Sequence, residues 1–188
     1  MLYLWINYKT TKMINEIIKK NAVKFGVISA LFGVLATTIM YVIDLSLFVN
    51  IGIGLGILGV YLIIGIVLLS GTKKEMQNRF SFKEAFTTYF ISALIGITVS
   101  TAFSVLLFNV IDTDARDQVS EIFIKNQVKM LQNFGVPSSQ INSTITELEK
   151  NSQFSIKGLF FGFLQSLLGA IIFGLILAAF FKSKSTQE

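Results

Sequence analysis

The sequence predicts an all-α membrane protein: a polytopic bundle of four transmembrane helices carrying an extracytoplasmic amphipathic helical hairpin. Three observations predict it. Hydrophobic residues make up 53% of the chain and charged residues only 14%, too little charge for the surface of a soluble domain of 188 residues. The apolar residues gather into four runs, each reaching the roughly 20 residues that cross a hydrocarbon core at about 1.5 Å per residue. Lys and Arg fall unequally on the two sides of those runs.

Residues 1–21 read as a cytoplasmic segment. It opens Met-Leu-Tyr-Leu-Trp-Ile-Asn-Tyr, too short to span. A signal peptide is not expected, because Lys9, Lys12, Lys19 and Lys20 follow the apolar stretch instead of preceding it. Either Trp5 and the tyrosines anchor this stretch at the interface or translation starts at Met13, and we favour the start at Met13.

A single membrane domain covers residues 22–184, with spans at about 22–43, 46–70, 85–111 and 158–181. Joined into one helix, Ala22 to Ser70 would reach roughly 70 Å, more than twice a core of about 30 Å, so the chain turns back at Asp44 to Ser46. There Asp44 or Ser46 is expected to cap the second helix at the water interface, a role that fits Asp44 better than an ion path. Gly52 to Gly59 is no phosphate loop, since no Lys follows it and it lies in an apolar span; close helix approach through Gly52 and Gly56 is expected instead.

Residues 112–157 form the one sizeable polar loop. Val119, Ile122, Phe123, Met130 and Phe134 recur at helical spacing, ending near Gly135. After Pro137, Ser138 or Ser139 is expected to cap a second helix with Ile141, Ile145 and Leu148 on one face. Its expected role is to cover the outer ends of the spans; a partner-binding surface is the alternative. Residues 185–188 form a cytoplasmic tail.

Small residues step by four along two spans: Gly158, Gly162, Ser166, Ala170, Gly174 and Ala178 in the fourth, and Thr88, Ser92, Gly96, Ser100 and Ser104 in the third. Such stripes permit close backbone approach in lipid, and the two are expected to face each other within one chain.

Chemistry is sparse. There is no Cys and no His, and no charged residue falls in the middle of a span. Neutral polar residues in the spans, such as Thr38, Asn50, Tyr61, Ser104, Gln165 and Ser166, are expected to bond within or between helices. No catalytic, cofactor-binding or metal-binding residue stands out, no cofactor is implied and an enzyme is not expected. The expected partners are the lipid bilayer and other membrane proteins or second copies of the chain. Nucleic acid is not, because the basic residues flank helices instead of forming a patch with base-stacking aromatics.

The chain from about Asn21 to Lys184 resembles domain of unknown function 4199, a family of small bacterial membrane proteins with four predicted spans. The resemblance rests on Lys24-Phe25-Gly26 opening the first span and on Phe80-Ser81-Phe82-Lys83-Glu84-Ala85-Phe86 leading into the third. Ile111-Asp112 closing that span, the helical loop and the Gly-rich fourth span complete it. It implies a bacterial inner (cytoplasmic) membrane protein and carries over no activity and no functional residues. The expected function is a non-enzymatic scaffold or accessory membrane protein, with a small oligomeric transporter or channel as the alternative.

Orientation follows from charge. Eleven basic and four acidic residues lie on the side of the termini and the 71–84 loop, a net +7, against five and seven on the other side, a net −2. The positive-inside rule then places both termini in the cytoplasm. Reporter fusions after Gln77 and after Lys184 are expected to read as cytoplasmic, and one between Asn133 and Ser139 as external; a cytoplasmic signal at Gly135 would break the four-span arrangement.

Overall fold

The computed structural model describes residues 2–183, with side chains from Glu16 to Ser183. These residues form six α-helices and no strand: α1 (Leu2–Ile43), α2 (Ile51–Glu75), α3 (Phe82–Leu106), α4 (Thr113–Asn133), α5 (Ser138–Lys150) and α6 (Ile156–Phe181). A 3-10 turn, Leu45–Val49, precedes α2 and a π-helical turn, Leu107–Ile111, follows α3. Among the described residues four stretches are long and apolar enough to cross a membrane: Glu16–Ile43, Ile51–Glu75, Phe82–Ile111 and Ile156–Phe181. The side chains of the amino-terminal aromatic stretch lie outside the described residues.

The helix ends depart from the hydropathy boundaries because caps, not polarity, set them. Asp44 does cap, but its carboxylate accepts from the Ser46 N–H at 2.8 Å and so opens the 3-10 turn. The second helix begins five residues later than expected, at Ile51, where the Asn50 side chain accepts from the Ile53 N–H at 3.1 Å. Asn50, expected inside the span, is its cap. Before α3, Ser81 and Glu84 form a capping box: the Glu84 carboxylate accepts from the Ser81 N–H at 2.8 Å and Ser81 Oγ from the Glu84 N–H at 3.3 Å. Phe80, 1% exposed, precedes the cap and shares a core cluster with the fully buried Ala85, a hydrophobic staple. The α5 helix has no side-chain cap; Pro137 precedes Ser138, and neither serine accepts the expected bond. Gly135 stops α4 with φ +71°, its N–H donating to the Gln132 carbonyl and that of Val136 to Leu131.

The chain divides into two compact units, and α1, α2, α3 and α6 each contribute residues to both. The first takes Met1–Leu31, Gly59–Ile97 and Ser166–Glu188. In it α3 touches the three other helices at glycine contacts. A Cβ at Gly26 of α1 would lie 2.8 Å from Ile95 Cβ, and one at Gly96 of α3 would lie 2.8 Å from Ser29 Cβ. Tyr89 of α3 lies between Gly65 of α2 and Gly174 of α6, where added Cβ atoms would stand 2.6 and 2.9 Å from its ring. Ile18, Leu69, Met76, Phe80 and Ala178 continue this core. Asn21 joins α1 to α2, donating to Thr72 Oγ1 and to the Glu75 carboxylate, each at 3.2 Å. Beyond α6, the Ser183 N–H donates to the Phe80 carbonyl at 2.7 Å, while Ser183 Oγ accepts from the Phe80 N–H at 3.0 Å and donates to the Asn78 carbonyl.

The second unit takes Phe32–Leu58 and Thr98–Gln165. Its core combines Leu107 and Phe108 of the π turn with Ala115 and Val119 of α4, and Phe48, Phe108 and Phe154 meet edge to face with centroids 5.2 to 6.2 Å apart. The α4 face is used only in its first half: Val119 is buried, Ile122 and Phe123 are half-buried, and Met130 and Phe134 are exposed. On α5, Ile141 is buried and Ile145 and Leu148 are half-buried.

The small-residue stripes pack selectively. Ala170, Gly174 and Ala178 are buried, with Gly174 against Tyr89 and Phe86 of α3, so α3 and α6 do meet within the chain. Gly162, however, faces no atom within 4 Å of its Cβ position and Ser166 is exposed, while Gly96 of the α3 stripe meets α1 and not α6. Gly54, Gly56 and Gly59 likewise have no neighbour within 4 Å, and near Gly52 there is only the Asn50 cap oxygen, so close approach does not run through Gly52 and Gly56. Sensitivity to added bulk on α6 is therefore expected at Gly174 and not at Gly162. Gly174→Leu is expected to destabilise the chain in detergent by about 1–3 kcal/mol through overpacking, whereas Gly162→Leu stays within about 0.5 kcal/mol. Thermal unfolding of the two variants checks this, and equal losses would show that the stripe packs along its whole length.

Candidate functional site

The segment between α3 and α6 is tied to the span ends by polar contacts around Asp112. This residue caps α4: its Oδ1 accepts from the Ala115 N–H at 2.9 Å and its Oδ2 from the Tyr41 hydroxyl of α1 at 2.7 Å. The Ala115 N–H first, and then the Tyr41 hydroxyl, hold the Asp112 carboxyl below its usual range. The Ser46 N–H does the same for Asp44. Lower down, Asn109 donates to the Phe154 carbonyl at 3.1 Å, and Ser120 and Ser152 share a 2.6 Å bond.

Where α5 gives way to α6, the chain folds tightly over the start of the last span. Ser155 caps α6, its Oγ accepting from the Gly158 N–H at 3.1 Å. A Cβ at Gly158 would collide with the Ser152 carbonyl oxygen and the Gln153 backbone, so only glycine permits this fold-back. Beside it opens a cavity of about 550 Å³. Lys150, Asn151 and Lys157 line its polar part together with Glu147, and Leu159, Phe161 and Gly162 its apolar part, with Gln165 also among the lining residues. Lys157 Nζ lies 3.5 Å from Asn151 Oδ1. Among the described residues neither lysine joins an ion pair, and the exposed Gln165 amide makes no hydrogen bond to another described residue.

The polar residues of the spans find helix partners in several cases. Thr38 donates to the Val34 carbonyl and Ser104 to that of Ser100, each within its own helix, and the Tyr61 hydroxyl reaches the Ser29 carbonyl of α1 at 3.5 Å. Residue types alone did not single out the cavity. In the sequence Lys150 and Lys157 count only among the five basic residues of the outer side and Gly162 only as a packing position; the available signal was two lysines seven residues apart just before a predicted span start. Among the described residues no three His, Cys, Asp or Glu side chains are grouped to hold a metal ion.

Outward-facing side chains along the four apolar helices are large and apolar: Leu35, Ile51, Ile63, Val110, Leu168 and Phe180 are all more than half exposed. Helices that satisfy their own backbone and present such a surface belong to a multi-pass membrane protein. The family described as protein of unknown function (DUF4199) matches residues 24–183, and the chain belongs to it. No curated protein and no solved structure matches the chain. The Phe80 to Phe86 run of this chain, within the matched residues, holds the capping box and staple that start α3.

The Asp112 contacts carry a pH dependence. A carboxylate whose folded pKa is depressed contributes stability above its unfolded value and loses it as pH falls through the folded one. Thermal stability is therefore expected to decline on acidification through and below the ordinary carboxylate range, and Asp112→Asn to flatten that part of the profile. An NMR titration of the Ala115 amide in both proteins checks this; an Asp112 midpoint at the ordinary carboxylate value would show that the two bonds are not formed.

Proposed function

We propose that this chain is a non-enzymatic scaffold or accessory protein of the bacterial inner membrane, with both termini in the cytoplasm, that recognises a partner protein through the α4–α5 segment. The supporting observation is how that segment is divided. Its inner side is committed to the fold through Ala115, Val119 and the Tyr41–Asp112 bond, while its far end presents Met130 and Phe134, 43% and 78% exposed, around the Gly135 turn. An exposed aromatic and a thioether on a rigid support suit a protein contact. The charge asymmetry of the loops supports the orientation. Spans without a charged group in their middle offer no selectivity or relay residue, which weighs against a transporter or channel.

Crosslinking followed by pull-down from native membranes tests this reading. A defined partner that is lost on Phe134→Ser and kept on Phe163→Leu supports it. Saturable flux of an ion or solute through the protein reconstituted in liposomes would overturn it in favour of a transporter.

A further inference from the structure

We propose that the cavity at the α5–α6 junction binds an anionic membrane lipid, with its phosphate held between Lys150 and Lys157 and an acyl chain laid along Phe161 over Gly162. The assignment does not depend on the scaffold reading. It starts from the division of the cavity wall into two chemistries. The lysines and Asn151 flank the start of a span, the depth at which headgroups sit, and the apolar lining belongs to the next turns of the same helix. A ligand matching both parts must be amphiphilic.

The geometry then favours an anion at the polar end. The turn between α5 and α6, fixed by the Ser155 cap and by the close approach at Gly158, brings two lysines to one cavity although they belong to different helices. Among the described residues neither is neutralised by an ion pair, and Glu147 offsets only one of the two positive charges. At the apolar end, the Cβ position of Gly162 faces open space that a larger side chain would occupy. The Gln165 amide, exposed on the face of an apolar span and without a bond to another described residue, needs a polar partner that hydrocarbon does not supply.

The test uses the full chain in a zwitterionic detergent, titrated with phosphatidylglycerol, with phosphatidylcholine of the same acyl chains and with inorganic phosphate, and read by native mass spectrometry and thermal unfolding. Phosphatidylglycerol is expected to bind and to raise the unfolding midpoint, with the other two giving neither effect. Two lysines at about fivefold each make the Lys150→Gln/Lys157→Gln variant about twenty-fivefold weaker for phosphatidylglycerol, while Lys125→Gln/Lys129→Gln, away from the cavity, is unchanged. Glu147→Gln is expected to tighten binding, and Gly162→Leu to weaken it without a loss of stability in the absence of lipid. Equal binding of phosphatidylcholine, full reproduction of the effect by phosphate alone, or undiminished binding by the Lys150/Lys157 variant would each overturn the proposal.

Discussion

The ring of Tyr89 set between Gly65 and Gly174 is the contact on which the first unit depends. In lipid, apolar surfaces gain little from leaving their solvent, so helices associate where backbones approach closely and many atoms meet at once. A side chain at either glycine would occupy the space of the ring. Because Tyr89 meets α2 on one side and α6 on the other, and the neighbouring Ile95 and Gly96 meet α1, one helix supplies the surface against which three others are fitted. Most of the exposed faces can then remain plain hydrocarbon, as the outward Leu, Ile, Val and Phe residues are.

Polar contacts finish what packing begins, and they cluster at helix ends where backbone groups lack partners. Asn21, Thr72 and Glu75 join α1 to α2 near the basic end of α2, whose last turn carries Lys73 and Lys74 where the helix dipole favours cations. Ser183 closes the loop before α3 with three bonds to Asn78 and Phe80. In the second unit Asp112 performs a similar service, satisfying the first turn of α4 and reaching Tyr41 with one carboxylate. These bonds tie particular elements together, which nonspecific apolar contact does not do.

Much of the fold was legible in residue order because membrane solvation imposes simple length rules. Four apolar runs became four apolar helices, and Gly135 became the αL stop of α4. What was not legible shares one cause: hydropathy records which solvent a residue prefers and not which neighbour it meets. Asn50 looked like a polar residue within a span and is a cap; Ser138 looked like a cap and accepts no such bond. The regular step of four in α6 looked like one seam, yet only Ala170, Gly174 and Ala178 are buried along it. The cavity was invisible for the same reason, since Lys150 and Gly162 come together only through the fold-back at Gly158.

The Tyr89 clasp also sets an order of assembly. Gly65 is made before Tyr89, so one wall of its site exists when α3 leaves the ribosome; Gly174 follows only after α4 and α5 have been synthesised. Until then the aromatic ring lacks its second glycine wall, and Ser183, later still, cannot yet bind Phe80. The last span therefore completes the site of Tyr89, and a chain truncated before α6 would leave the ring with one glycine wall instead of two.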